Sequence, residues 1–354
     1  MPTTIVVGGQ YGSEGKGKVV ALCAGLRRDP LVVRCGGPNS GHTVWIGNEC
    51  VVLRQVPTAA GNPDALLMLS AGCAVDEDVL EAEIRQLSLS RERIVVDPRA
   101  ALITQADRDA ERAIAQAIAS TGSGTGAALI RRMSRVSNTC LVGQSERLRA
   151  LVRVEPVAKL LHANLDKGGE VIVEGTQGFG LSLLHGSDYP HVTSRDTTAA
   201  AFASEVGLSP RQVDEIVMVV RTWPIRVGGA SGDLVQEVTW EEVQRVSGAP
   251  EVYPEYTSVT KRLRRVGRFD FSAVKRACDY NRPTQLALMG LDRLDHRNHR
   301  ASSWSSLTPT AQTFVASLER ETQVKVGWVG TGFRTEEAFH RSVMPGAVAG
   351  LGVA

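Results

Sequence analysis

Residues 8–18 read GGQYGSEGKGK. This stretch decides how the rest of the chain is read. It follows Thr4-Ile-Val-Val-Gly8, a β-branched run that stops at glycine, and leads into GKGKVVALCAGL (15–26), which has the composition of a helix. The order is strand, glycine-rich turn, helix. Gly12 to Lys18 fits the spacing G-x-x-x-x-G-K, but Val19 stands where a P-loop carries the Ser or Thr that holds Mg²⁺. A turn of this kind aims backbone N–H groups and the positive end of a helix at an anion, and Lys16 and Lys18 add charge. Taken alone it supports nucleotide binding and no particular reaction. A tight strand-to-helix turn with two solvated lysines has the same spacing. Val19, and the lack of a strand-end aspartate to partner Mg²⁺, speak against a P-loop NTPase of unrelated function.

Outward from that turn, Leu31-Val-Val-Arg-Cys35 predicts a second buried strand ending in the loop GGPNSGH. Strands are expected at 51–54, 66–70, 170–174 (EVIVE, running into GTQGFG), 213–220 and 285–291. Helical periodicity covers 76–88, 104–119, 155–166, 236–247 and 271–280, with a last helix near 335–342. The segment STGSGTGAA (120–128) is too rich in Gly, Ser and Thr for an element interior and reads as a functional loop; 228–233 (GGASGD) reads as a turn. Strands alternating with helices predict an α/β fold: one large domain over residues 1–354, with a mostly parallel central sheet flanked by helices and a P-loop-like first turn. Ligands in such sheets bind at the carboxyl ends of the strands.

Composition narrows the function classes. The chain has 354 residues, with 40 Lys+Arg against 38 Asp+Glu, so its net charge of +2 gives no overall pull toward nucleic acid or membrane. Six cysteines at irregular spacing, with no C-x-x-C, read as reduced and mostly buried. The N-terminus lacks a basic region followed by an apolar one, and no apolar run approaches the roughly 20 residues of a membrane span. The expected compartment is the cytoplasm. His296 and His299 in HRNH read as solvated rather than metal-binding.

GGQYGSEGKGK and GGPNSGHTV together resemble the adenylosuccinate synthetase family, whose patterns are G-Q-W-G-D-E-G-K-G-K and G-G-x-N-A-G-H-T. Four more stretches resemble the same family in the same order: STGSGTG (120–126), EGTQGFGLSLLHGSDYPHVTS (174–194), EYTSVTKRLRRVGRFD (255–270) and VGTGF (329–333). The resemblance covers nearly the whole chain. It implies a ligase that phosphorylates the 6-oxo group of a purine monophosphate and lets the aspartate amine displace that phosphate.

By the same resemblance, Ser13, Lys16, His42 and Gln177 are the catalytic positions, with His42 donating to the phosphoryl oxygen. Ser13, Gly15, Lys16, Gly17, Gly41, His42, Thr43, Arg264, Asp292, Gly330, Thr331 and Gly332 would contact the triphosphate. Ser13 and the carbonyl of Gly41 would ligate Mg²⁺. The monophosphate would lie against Ser13, Asn39, Ser40, Thr121, Gln177, Thr193 and Arg262, with Arg135 reaching in from the partner subunit of a homodimer. Thr260, Arg262 and Arg264 would take the aspartate carboxylates. In that loop the family's T-T-G-R-x-R-R reads Val259-Thr260-Lys261-Arg262-Leu263-Arg264-Arg265, and the lysine before the base-reading aspartate is Gly290.

Ser13 is the telling departure, because the family has aspartate there to take the N1 proton of hypoxanthine and to ligate Mg²⁺. A serine hydroxyl is a very weak base without an activating partner. The swap removes volume and negative charge beside purine positions 1 and 2, where guanine carries its 2-amino group. A viral branch of the family resembles this chain in being compact and in carrying Ser in this motif. That branch joins aspartate to dGMP with ATP on the way to diaminopurine DNA. The shortened GGASGDL (228–234), where the common pattern is G-x-G-P-F-P-T-E, departs in the same direction. The preferred reading is therefore a dGMP–aspartate ligase in the host cytoplasm. The alternatives are an ordinary synthetase using IMP and GTP, or a nucleotide-binding regulator without ligase activity. Glu14, beside Ser13, is a candidate acceptor for the N1 proton.

Overall fold

A computed structural model describes residues 3–112, 120–135, 140–257 and 260–342. Ten strands form the central sheet: β1 Thr3–Gly8, β2 Leu31–Arg34, β3 Leu66–Leu69, β4 Ile94–Val96, β5 Arg153–Val154, β6 Val171–Glu174, β7 Glu215–Arg221, β8 Gln285–Met289, β9 Val326–Gly330 and β10 Ala338–His340. Their order is β10-β9-β8-β7-β1-β6-β2-β3-β4-β5. Every neighbouring pair is parallel except β9–β10.

Strands buried on both faces read as continuous apolar runs, and β1 shows why. Ile5 and Val7 pack into one layer with Phe202, Val274 and Val315. Val6 points the other way, against Val19, Leu22 and Leu53. Helix α1 (Lys16–Gly25) is buried nearly all round, which is why its sequence has no polar stripe. The mostly parallel α/β architecture expected above is the one found.

Three local expectations fail, and the first is that 120–128 is loop throughout: residues 125–128 open the helix Thr125–Met133, which begins after the left-handed Gly124. Residues 335–342 hold strand β10, antiparallel to β9 with Trp328 opposite His340. Pairing along the sheet edge overrides the local helical pattern there. The helix Pro309–Thr322 escapes the sequence reading, although Thr308 caps it by accepting from Ala311 N–H and Pro309 opens it. Its buried Ala311, Val315 and Leu318 lie on one face. The expected helix 236–247 splits into a strand, Glu237–Val238, and a helix, Trp240–Ser247. Of 104–119, Gln105–Arg112 is helical and 113–119 lies outside the described residues. Cys23, Cys35, Cys73 and Cys278 are buried as expected, but Cys50 is exposed.

A small antiparallel sheet, Ile225–Arg226, Arg265–Gly267 and Glu237–Val238, stands beyond the end of β7. Trp223, Trp240 and Val266 form its core. Beside it Thr257, Thr260, Arg262 and Arg264 face one cavity together with Ser13 of the glycine-rich segment.

Candidate active site

The loops that follow β1, β2 and β6 converge at the carboxyl edge of the sheet. After Gly8 the chain folds around its own acid. Glu14 Oε1 accepts from the N–H groups of Gln10 (3.1 Å) and Gly12 (2.8 Å), and its Oε2 pairs with Lys16 Nζ at 2.7 Å. A Cβ at Gly178 would stand 2.3 Å from Glu14 Oε1, so only glycine permits this approach. Glu14 is thus an internal staple of the loop, with no exposed side-chain surface. It is withdrawn as a candidate for the N1 proton. Gly15 adopts a left-handed φ of 104°, and α1 begins at Lys16 with no side chain capping its first turn. Its leading N–H groups are left for a ligand.

Lys18 differs from its reading as a phosphate-facing charge. Its ammonium donates to the carbonyls of Gly332 (3.0 Å) and Glu337 (2.7 Å), tying α1 to the chain after β9. Burial pushes its pKa down to about 8, against the pull of Asp292 and Glu337.

His42 opens the strand His42–Ile46, and its Nδ1 lies 2.5 Å from Glu174 Oε1, at the end of β6. The hydroxyl and N–H of Thr58 also donate to Glu174, at 3.0 and 2.8 Å, and Arg34 Nη1 stands 3.8 Å away. Burial works against the Glu174 charge. Arg34, His42 and the Thr58 N–H outweigh it, so the carboxyl sits below its usual range. A carboxylate on Nδ1 makes that nitrogen the donor, which fixes the tautomer and leaves Nε2 as the working nitrogen. Burial, with Arg34 adding to it and Glu174 opposing, holds His42 down to about 4, so the imidazole is neutral in the ligand-free protein.

One cavity gathers Ser13, Lys16, Asn39, Ser40, Gly41, His42, Thr121, Gln177, Thr260, Arg262 and Arg264. Among the described residues lining it, none carries a carboxylate. A second cavity of about 310 Å³ shares Tyr11, Asn39, Thr121 and Gln177 with the first, and adds Thr193, His191 and Arg226. Polar atoms beside it lack partners among the described residues: Thr121 Oγ1, His191 Nδ1, and Arg226 Nε and Nη2. Arg226 lies over the Tyr11 ring at 4.2 Å.

The other predicted positions stand apart from these cavities. Gly15 is the N-cap of α1 and Gly17 lies in its first turn, and Thr43 is exposed on its strand. Asp292, Gly330, Thr331 and Gly332 lie just beyond or at the ends of β8 and β9. Asp292 is buried, and burial pushes its carboxyl up against the opposing Arg293 and Lys18. The Thr331 hydroxyl is engaged with the carbonyl of Ala301 at 2.9 Å. Arg135 is exposed past the helix Thr125–Met133. His296 and His299 stack on each other at 5.3 Å, and no metal-holding cluster of three or more His, Cys, Asp or Glu occurs among the described residues. Glu174 escaped the sequence reading. Its signal is an acid closing an otherwise apolar strand directly before GTQGFG, where a buried charge needs a partner.

The adenylosuccinate synthetase family model matches residues 5–144 and 139–299. The chain is 38% identical to adenylosuccinate synthetase of Methanocaldococcus jannaschii over 336 residues, covering 93% of this chain and 94% of that one. It is 37% identical to the Thermococcus onnurineus synthetase over 352 residues, 96% and 99% of the two chains. The chain belongs to the adenylosuccinate synthetase family. It is a carbon–nitrogen ligase using aspartate and GTP or ATP. A regulator without ligase activity drops out.

Two solved structures share the fold. The fully ligated Plasmodium falciparum adenylosuccinate synthetase superposes with a TM-score of 0.85 at 18% identity, over 96% of this chain and 99% of that one. The cyanophage S-2L succinoaminodeoxyadenylate synthetase, bound to dGMP and to dATP as an energy donor, superposes with a TM-score of 0.81 at 26% identity, over 99% and 98%. Compactness does not separate these branches, because the archaeal synthetases are matched over nearly their full length too.

Proposed function

We propose that this ligase joins L-aspartate to C6 of dGMP, driven by ATP, to give the 2-amino analogue of deoxyadenylosuccinate. The observation that carries this reading is Ser13, which lines a cavity free of carboxylates among its described lining residues. A carboxylate beside the guanine 2-amino group would crowd it; a hydroxyl leaves room and accepts from it. The whole-length likeness to the cyanophage enzyme supports the reading. The higher identity to archaeal synthetases favours the alternative, IMP with GTP. Purified protein assayed with aspartate, ATP or GTP, and either dGMP or IMP decides between them. Turnover of IMP with none of dGMP would sink the dGMP reading.

In the proposed mechanism the free N–H groups at the start of α1 and the Lys16 ammonium hold the terminal phosphoryl group. The purine 6-oxygen attacks phosphorus as the bond to the diphosphate breaks and N1 gives its proton to solvent water. The aspartate amine then attacks C6, and the C6–oxygen bond breaks with loss of phosphate. Phosphoryl transfer of this kind depends mainly on positioning and on positive charge around the transferring group. His42 Nε2, held by Glu174, exchanges a proton with the phosphoryl oxygen. Thr260, Arg262 and Arg264 take the aspartate carboxylates, and Asn39, Ser40, Thr121, Gln177 and Thr193 hold the monophosphate. Asp292 and Gly330–Gly332 lie against the base of the triphosphate.

The chain's donors fit Mg²⁺ in kind, since Ser13 Oγ and the Gly41 carbonyl are hard oxygens beside the phosphate loop. Both are neutral, so phosphate oxygens would balance the ion, which would in turn offset their charge. Helix Thr125–Met133 leaves Ile130 68% and Met133 78% exposed, which supports a homodimer that brings Arg135 to the neighbouring site. Sedimentation of the purified protein tests that. No described helix is long and apolar enough to cross a membrane, and we place the enzyme in the cytoplasm, the host's if the source is viral.

A further inference from the structure

One guanidinium joins the glycine-rich loop to the loop proposed for aspartate. Arg221 is the last residue of β7, at the centre of the sheet. Its backbone is clamped by the Gln10 amide, which accepts from Arg221 N–H at 2.9 Å and donates to the Arg221 carbonyl at 3.1 Å. Its side chain divides between two loops. Nη1 donates to the carbonyl of Ser13 at 3.0 Å and to Glu255 Oε2 at 3.0 Å, while Nη2 donates to Glu255 Oε1. Glu255 begins the 255–265 loop, and its carbonyl accepts from Arg264 N–H at 2.8 Å. The carbonyl of the next residue, Tyr256, accepts from Arg264 Nε at 3.3 Å.

Ser13 needs such a hold. Its φ of 56° is left-handed, which costs a non-glycine residue on the order of 1 kcal/mol. The Arg221 bond to its carbonyl fixes that peptide's orientation. Burial works against the Glu255 charge, and Arg221 outweighs it, so the carboxyl lies below its usual range and the strap stays charged at neutral pH. We infer that Arg221 and Glu255 are positioning residues that set Arg264 against Ser13, so that the amino-acid site takes its shape from the glycine-rich loop. The catalytic part of this inference rests on the proposed dGMP substrate and aspartate loop; the strap itself does not.

Hydrogen exchange on the full-length, ligand-free protein tests the strap without substrate. Glu255→Gln is expected to speed exchange at residues 9–15 as well as in its own loop, and Arg221→Lys, which keeps a charge but loses the fork, to do the same. Faster exchange in the 255–265 loop alone would overturn the strap. Trp240 supplies the second readout, because its indole N–H donates to the Arg264 carbonyl at 2.9 Å. Fluorescence titration with L-aspartate at saturating dGMP is expected to show about tenfold weaker aspartate binding in each single variant, with no further loss in the double. Affinity for dGMP should stay within twofold. Multiplying losses in the double variant, or equal losses for both ligands, would overturn the positioning role. If Arg221→Lys does not fold, Glu255→Gln carries both measurements. If the variants show the exchange linkage but wild-type protein binds aspartate only when IMP replaces dGMP, the dGMP reading is refuted and the strap stands.

Discussion

The two sides of the cavity are built differently. On the proposed phosphoryl side, Lys16, Glu14, His42, Glu174 and Arg34 form closed, buried pairs within the chain. On the proposed acceptor side, Thr121 Oγ1 and two nitrogens of Arg226 are buried without partners among the described residues, and Ser13, Gln177 and Lys261 hold left-handed φ values of 56°, 59° and 53°. Unpaired groups and strained backbone are costly unless a ligand completes them. The phosphoryl side is therefore preorganised, whereas the acceptor side is finished by what binds. Changes on the first side should affect rate for any purine, and changes on the second should affect choice.

The largest effect is expected from the His42–Glu174 pair. Glu174→Gln can present an amide N–H or a carbonyl to Nδ1, so the tautomer is no longer held; kcat should fall by about 10²–10⁴-fold, equally for dGMP and IMP. Losing the carboxylate also removes the influence that raises His42, so an acid limb governed by His42 should move to lower pH. Unequal loss between the two purines would break the contrast. The pair also sets acid stability. His42 titrates near 4 folded against an ordinary value of about 6.5, so the unfolded chain binds the extra proton between those values and stability drops as pH falls across that window. The depressed Glu174 acts in the same direction, its contribution being lost in acid. Denaturant melts at pH 7 and pH 5 should show that decline, and His42→Asn should flatten it.

Ser13→Asp is the sharpest test of choice. Aspartate tolerates left-handed backbone, so the loop should keep its shape. The ratio of kcat/KM for dGMP to that for IMP should fall by about 10–100-fold, within the range that lost or mismatched polar contacts produce. Equal activity on both purines before and after the change would remove Ser13 as the determinant.

Much of this was legible in the chain itself. Gly-rich turns after β-branched runs mark β1, β2 and β6, and the loops they lead into carry Ser13, Asn39, His42 and Gln177 into one cavity. Pairings that depend on tertiary approach were not legible. Glu174 and Arg34 end neighbouring strands 140 positions apart, in register across β6 and β2. Lys18 looked the same as Lys16 in the sequence, but two helical positions decide between a carbonyl tie to Gly332 and a place in the cavity. Strand β10 depends on an edge that β9 supplies.

Lys18→Met should have a moderate effect. It leaves the Gly332 and Glu337 carbonyls without their shared donor, for a loss of about 1–3 kcal/mol. Triphosphate KM should rise while monophosphate KM holds, because the chain after β9 loses its tie to α1. Lys18 titrates near 8 folded against an ordinary 10.4 or so, so wild-type stability should rise with pH between those values, and the variant should lose that rise.

The smallest effect is expected at Lys261, where the family's loop has glycine. Lys261 is exposed, its N–H donates to the Thr257 carbonyl at 3.1 Å, and its φ is left-handed. Lys261→Gly relieves backbone strain of about 1–2 kcal/mol and gives back roughly 0.5–1 kcal/mol through the freer unfolded chain. Net stabilisation of about 0.5–1 kcal/mol should appear in denaturant melts, with aspartate KM within twofold of wild type. The strain would then be local, tolerated because Arg262 N–H is held by the Thr257 hydroxyl at 2.9 Å whatever side chain precedes it. A tenfold change in aspartate KM would instead make the lysine part of the acceptor side's choice, and the line between strain and specificity drawn at Ser13 would have to include Lys261.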